Sequence, residues 1–292
     1  MKENYLNEIE EILTFGNRSA NTIKSYKTYV APFLDYCVDV LHKDPADVSA
    51  HDIRTYITNL QQQRGLADST VNHAISELRF FFEAVLGITW NPKQVPHRKT
   101  DRCLSYVPDR DTIAAFLSSV DDKKKKAMIS LLYSSGLRIS EVCCLKCADI
   151  RHSASCVYVA PGKNRKDRYV VLADEAYEII CDYWRSLPRG MKSRDWLFTQ
   201  QRDISKPIYP QFIQGYMKKQ VAALGWDCKL TCHSLRRAFA THSYQDGMDL
   251  LTLSRQLGHS SVATTAIYVH LAELGLRHYD SPMKGMVISH VV

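Results

Sequence analysis

Polar residues that would sit awkwardly in a core gather in short segments between positions 136 and 268. In Gly136-Leu-Arg-Ile-Ser-Glu141, Arg138 follows a glycine turn. Glu141 stands three residues later, on the same face of a helix, where a carboxylate can hold the guanidinium in one rotamer. Lys163 lies on a turn with Arg165, Lys166 and Arg168, a basic tip that can reach an anionic ligand. In His233-Ser-Leu-Arg236-Arg237 the first and fourth residues are neighbours on a helix face, and Arg237 points about a quarter-turn away. Leu257-Gly-His259-Ser is a helix stop followed by a turn, and Tyr268 comes nine residues after His259. Arg138 and Arg236 can each give two hydrogen bonds to a phosphate, and His259 can add another donor. A tyrosine phenol such as that of Tyr268 can serve as a nucleophile, and because a free phenol titrates near 10 that role needs a base or cationic surroundings. Singly, each element has a plainer reading: a surface ion pair, a common basic hairpin tip, a structural histidine or tyrosine. Five of them in one order are harder to dismiss.

The elements that must carry these groups are mostly helical. Ser19 to Leu41 places Ile23, Tyr26, Tyr29, Val30, Phe33, Leu34 and Cys37 at spacings of three and four. Ser49-Ala-His-Asp52 reads as a capping box with Asp in the Glu position. It opens a helix bearing Ile53, Tyr56, Ile57 and Leu60. A third long helix follows Asp68. The tyrosines of this region could stack bases, but their helical spacing favours core packing. Residues 91–107, with two prolines and a cluster of cations, read as a linker whose Arg98, Lys99 and Arg102 are free to touch phosphates. Beyond it, helices are predicted at about 110–120, 123–135, 138–147, 174–186, 210–224, 233–246, 249–257 and 261–275, with a β-hairpin from Ser155 to Leu172. Lys123 to Lys126 read as a solvated helix face. The fold class is therefore mainly α with a small β-sheet: a helical domain over 1–90, a linker, and a mixed domain over 108–292 ending in a tail.

A chain of 292 residues is long enough for two cores. No stretch approaches 18 consecutive apolar residues, so no membrane span is expected, and the acidic N-terminus lacks the apolar core of a signal peptide. Nine cysteines without such a signal suggest reduced thiols and a cytoplasmic location. Cys144 and Cys147 form a C-x-x-C, but no second pair follows at zinc-site spacing, so thiols packing as small apolar groups are the preferred reading and no metal is expected. The first 97 residues carry 9 Lys+Arg against 12 Asp+Glu, and the remainder 29 against 19. The basic excess thus sits in the second domain, compatible with a polyanionic partner.

Together the motifs resemble the tyrosine recombinase, or phage integrase, family, particularly its Xer-like and transposon-integrase members. The family pattern is G-L-R-x-S-E, a Lys in a hairpin G-K, H-x-L-R, L-G-H, and a Tyr nine residues beyond that last His. It falls here on Arg138, Lys163, His233, Arg236, His259 and Tyr268, with Glu141 in support. The resemblance covers nearly the whole chain and implies a SAM-like, all-helical core-binding domain followed by an α+β catalytic domain. It implies site-specific cleavage and rejoining of double-stranded DNA through a 3′-phosphotyrosyl intermediate, without metal, ATP or other cofactor. In that scheme His233 assists proton transfer from Tyr268 and Lys163 protonates the departing 5′ oxygen. The two domains would clamp the duplex, with Arg98, Lys99 and Arg165 on its backbone. Four copies would assemble on two duplexes, exchanging the tail from Val269 to Val292, while the free chain could be a monomer. This sequence departs from the frequent H-x-L-R-H in having Arg237 in the last place, and no arm-binding domain is expected. A topoisomerase-like enzyme and a DNA-binding regulator without catalysis are the rival readings. The second is disfavoured by all six matched positions being filled.

Overall fold

The computed structural model describes residues 2–100, 106–160, 167–188, 190, 192 and 195–272, without side chains for the last three. They form two compact units, Met1–Cys103 and Leu104–Val292. Among the described residues no helix is long and apolar enough to cross a membrane.

The first unit contains α1 (Lys2–Phe15), α2 (Ala20–Tyr36), α3 (Ala50–Arg64) and α4 (Asp68–Phe80). Helix α1, not foreseen from the sequence, packs on α2 and buries Ile9 and Leu13. Single π-helical turns extend α2 and α4, at Cys37–Leu41 and Phe81–Val85. The capping box at α3 forms as expected. Ser49 Oγ accepts from the Asp52 N–H, and an Asp52 oxygen accepts from the Ser49 N–H at 3.0 Å. The aromatic residues make the core. Phe33 is fully buried and meets Tyr56 edge-on at 5.2 Å between ring centres. Tyr26 meets Phe80 at 4.8 Å. These tyrosines are packing groups, as their spacing favoured.

The stretch expected to be a tether is anchored in its first half. Val95 within it and Trp90 just before it are buried in the first core. The Asn72 amide brackets Arg98, taking its N–H at 2.7 Å and donating to its carbonyl at 3.0 Å. Proline and charge made the segment look loose, but two apolar side chains and one amide fix it.

The second unit holds α5 (Arg110–Ser118), α6 (Lys123–Ser134), α7 (Ile139–Cys143), α8 (Asp174–Ser186), α9 (Pro210–Ala223), α10 (Cys232–Gln245), α11 (Leu250–Leu257) and α12 (Val262–Ala272). Its sheet is antiparallel in the order β1 (Ile150–Arg151), β2 (Cys156–Val159), β3 (Arg168–Val171). The expected helix over 138–147 is only α7. The chain leaves it at Cys144 and makes a 3-10 turn at Cys147–Asp149, where the Asp149 carboxylate accepts from the Lys146 N–H at 2.7 Å. The lysine run differs too. Lys124 is half-buried and donates to the Thr199 carbonyl, and its pKa is lowered by that burial. Lys125 lies 4.5 Å over the Tyr216 ring. Only part of that face is solvated. Helix α6 packs on α8 and α10, and α10 with α11 carries α12.

Candidate active site

The site is built from two turns converging on α10. Gly136 is left-handed, at φ +59°, before α7, and a Cβ there would lie 2.2 Å from a Phe239 ring carbon of α10. The absence of a side chain lets this turn touch α10. Its carbonyl then accepts from Arg236 Nη1 at 2.6 Å. The other end of that guanidinium, Nη2, donates to the Leu257 carbonyl at 2.6 Å and lies 3.4 Å from His259 Nε2. Arg236 is 3% exposed. Burial, then the charge of Arg138, lowers its pKa to about 10, which leaves it cationic at neutral pH.

Arg138 is the N-cap residue of α7, and its N–H donates to Glu141 Oε2 at 2.8 Å. Its Nη1 donates to Glu141 Oε1 at 2.9 Å and its Nη2 to the Gly258 carbonyl at 3.3 Å. The expected rotamer lock between Arg138 and Glu141 is therefore present, but it has a third member. Arg168, at the start of β3, donates to both Glu141 oxygens at 3.0 and 2.9 Å and to the Gln256 carbonyl at 2.8 Å. Burial pushes the Glu141 carboxyl up. The Arg168 hydrogen bond, the Arg138 N–H and both cationic charges outweigh it and hold the pKa at about 2. The hairpin cation read as reaching for an anion thus already has its anion inside the protein. A signal for this was present: Arg168, Val170 and Leu172 share one face of the strand, and the latter two are buried.

Helix α11 ends on Gly258, left-handed at φ +60°, and the turn delivers His259. His259 Nδ1 meets Thr265 Oγ1 of α12 at 2.8 Å, a contact the sequence did not announce. Tyr268, one helical turn beyond Thr265, is 7% exposed and packs with Phe239, Leu253 and Leu257. Its ring is nearly parallel to that of His259, with centres 6.3 Å apart. His233 reaches the surface at the start of α10. Crowding by protein atoms, then the charges of Arg237, Arg236 and Arg138, lower its pKa, so the ring is neutral at pH 7 and able to take up a proton. Arg138, Glu141, His233, Arg236, His259 and Tyr268 are thus brought together, while Lys163 and Arg165 lie outside the described residues. Of the candidate backbone cations, Lys99 is exposed and Arg98 is 3.4 Å from Asp68 Oδ1. Among the described residues no three His, Cys, Asp or Glu side chains group as a metal cage.

The geometry gathers two guanidiniums and a histidine beside a buried phenol. Residues 109–274 match the phage integrase family, and residues 5–92 match the phage integrase N-terminal SAM-like domain. A protein of Sinorhizobium fredii named as an integrase/recombinase is 37% identical over 277 residues, covering 94% of this chain and 87% of its own. Tyrosine recombinase XerD of Caulobacter vibrioides is 34% identical over 250 residues, covering 80% and 81%. Among solved structures, XerA recombinase is 28% identical over 91% of this chain and 93% of its own, with a TM-score of 0.52. The Tn1549 transposon integrase in complex with circular intermediate DNA covers 90% and 94% at 21% identity, with a TM-score of 0.72, and so shares the fold. The expected mainly α architecture, with its SAM-like first unit and small sheet in the second, is what these matches share. The chain belongs to the phage integrase family, the tyrosine-type site-specific recombinases.

Proposed function

We propose that this protein cleaves and rejoins duplex DNA at specific sites, with Tyr268 as nucleophile. The phenolic oxygen attacks the scissile phosphorus and the 5′ oxygen leaves, giving a 3′-phosphotyrosyl link. A 5′ hydroxyl from the partner duplex then attacks that link and releases the tyrosine. Each step exchanges one phosphoester for another, so no external energy source is needed. Arg138, Arg236 and His259 hold the non-bridging oxygens, His233 accepts the phenolic proton, and Lys163 donates one to the departing 5′ oxygen. Lys99, Arg165 and Arg98 contact the DNA backbone, Arg98 by trading Asp68 for a phosphate. Four copies act on two duplexes, as in the solved lambda integrase tetramer bound to a Holliday junction. The work is done in the cytoplasm, where cysteine thiols stay reduced.

The observation that carries this reading is the placement of Arg236. One buried guanidinium bridges the turn before Arg138 and the turn before His259, with the Tyr268 ring in the same cluster. The experiment is covalent capture on nicked duplexes carrying sites from DNA flanking the gene. A protein–DNA band on denaturing gels that vanishes in Tyr268→Phe, with DNA binding retained, is the expected result. Capture that survives this substitution refutes the nucleophile, and supercoil relaxation without strand exchange between duplexes would favour a topoisomerase.

A further inference from the structure

His259 is held from both sides. Arg236 Nη2 lies 3.4 Å from Nε2, and Thr265 Oγ1 lies 2.8 Å from Nδ1. A guanidinium can only donate, so Nε2 accepts and the proton sits on Nδ1, donated to the Thr265 hydroxyl. Thr265 is fully buried on α12 and shares a helix face with Tyr268, three residues on. The histidine and the threonine belong to different elements, the turn after α11 and α12 itself. The contact therefore exists only while α12, which carries the tyrosine, is seated against α10 and α11.

We propose that Thr265 is the positioning residue of His259, so that seating of the Tyr268 helix orients the histidine toward the phosphate position. This rests on the function proposed above. It adds that the oxyanion site is completed by the same helix that brings the nucleophile. A hydroxyl suits the task because it can accept from a protonated Nδ1 or donate to a bare one. When a phosphate oxygen arrives, Nε2 must donate rather than accept. The Nδ1 proton then leaves to solvent as Nε2 takes one up, and the hydroxyl turns from acceptor to donor.

Two measurements test this, one of them without DNA. In the free full-length protein, nitrogen-15 NMR of the histidines should show a slowly exchanging Nδ1 proton on His259, retained in Thr265→Ser and lost in Thr265→Val. Where valine disturbs folding, Thr265→Ala adds no atoms and gives the same comparison. No such proton in the wild type, or its persistence in both variants, overturns the proposal whatever the enzyme does with DNA. In single-turnover capture, Thr265→Val should be slower by up to about tenfold, the upper end for one lost hydrogen bond between neutral groups, and Thr265→Ser should recover most of it. In a His259→Ala background Thr265→Val should cost no more than about twofold, because its effect passes through the histidine. A full tenfold loss in that background too would make Thr265 a packing residue of α12 and overturn the assignment. Absence of capture in the wild type would instead sink the proposed function, leaving the NMR result to decide the contact.

Discussion

Glu141 offers the sharpest test of how this site is held, because one carboxylate is shared by Arg138 and Arg168, with Arg236 Nη1 3.9 Å away. Glu141→Gln keeps the shape and removes the charge. The carboxyl pKa falls from an ordinary 4.5 to about 2 on folding. At 1.36 kcal/mol per unit this is roughly 3 kcal/mol of stability at pH 7. The sign follows from a depressed pKa: the contribution is present above about pH 4.5 and lost as pH falls towards 2, with roughly 2 kcal/mol gone by pH 3. Tryptophan fluorescence during urea unfolding reads the right unit, since Trp184, Trp196 and Trp226 lie in the second and only Trp90 in the first. With a slope near 2–3 kcal/mol per M, the variant's midpoint should fall by about 1 M at pH 7. The gap from wild type should narrow as the pH is lowered through 4. Equal midpoints at pH 7, or a gap that does not change with pH, would refute the claim that this carboxylate is ionised and doubly paired in the fold.

Further outcomes follow from the same geometry. Gly136→Ala should destabilise the second unit by about 3 kcal/mol, combining left-handed strain with the clash on Phe239, and an unchanged unfolding midpoint would show that the turn does not need glycine. Arg168→Lys should behave as a loss rather than a conservative change, since one ammonium cannot serve both Glu141 oxygens and the Gln256 carbonyl. Capture should slow by about tenfold with DNA affinity kept, and wild-type rates in this variant would remove Arg168 from the site. His233 acts as a proton acceptor only when neutral, and its pKa is lowered. Capture rates should therefore rise with pH through a midpoint below 6.5 and be level by pH 7, and an acid limb centred above 6.5 that survives only while His233 is present would contradict that role.

Much of this was written in local signals. The spacing of Ile53, Tyr56, Ile57 and Leu60 behind the Ser49–Asp52 box gave a helix that forms as read. The motif order picked out Arg138, Arg236, His259 and Tyr268 before their convergence was visible. What local signals missed are contacts between elements far apart in sequence. Arg168 looked like a free hairpin cation because its partner is 27 residues upstream, on another element. Thr265 carries no mark of function until α12 is laid beside the turn after α11. Trp90 and Val95 were hidden among prolines and cations that usually mean a loose tether. The C-x-x-C region was read as helix to residue 147 because apolar spacing continues there, yet Asp149 caps a new turn and the helix stops short.

The anchoring of Arg236 has a consequence for how such a protein can change over generations. Both of its strong hydrogen bonds end on main-chain carbonyls, those of Gly136 and Leu257. A carbonyl belongs to every amino acid, so no substitution can delete either acceptor, and only a rerouting of the backbone can. Side chains outside the site are therefore at liberty to drift while the grip on the guanidinium is inherited unchanged. The vulnerable points are the two left-handed glycines, Gly136 and Gly258, that set the path of the chain. An engineer seeking new DNA targets has latitude away from the site and almost none at those two bends.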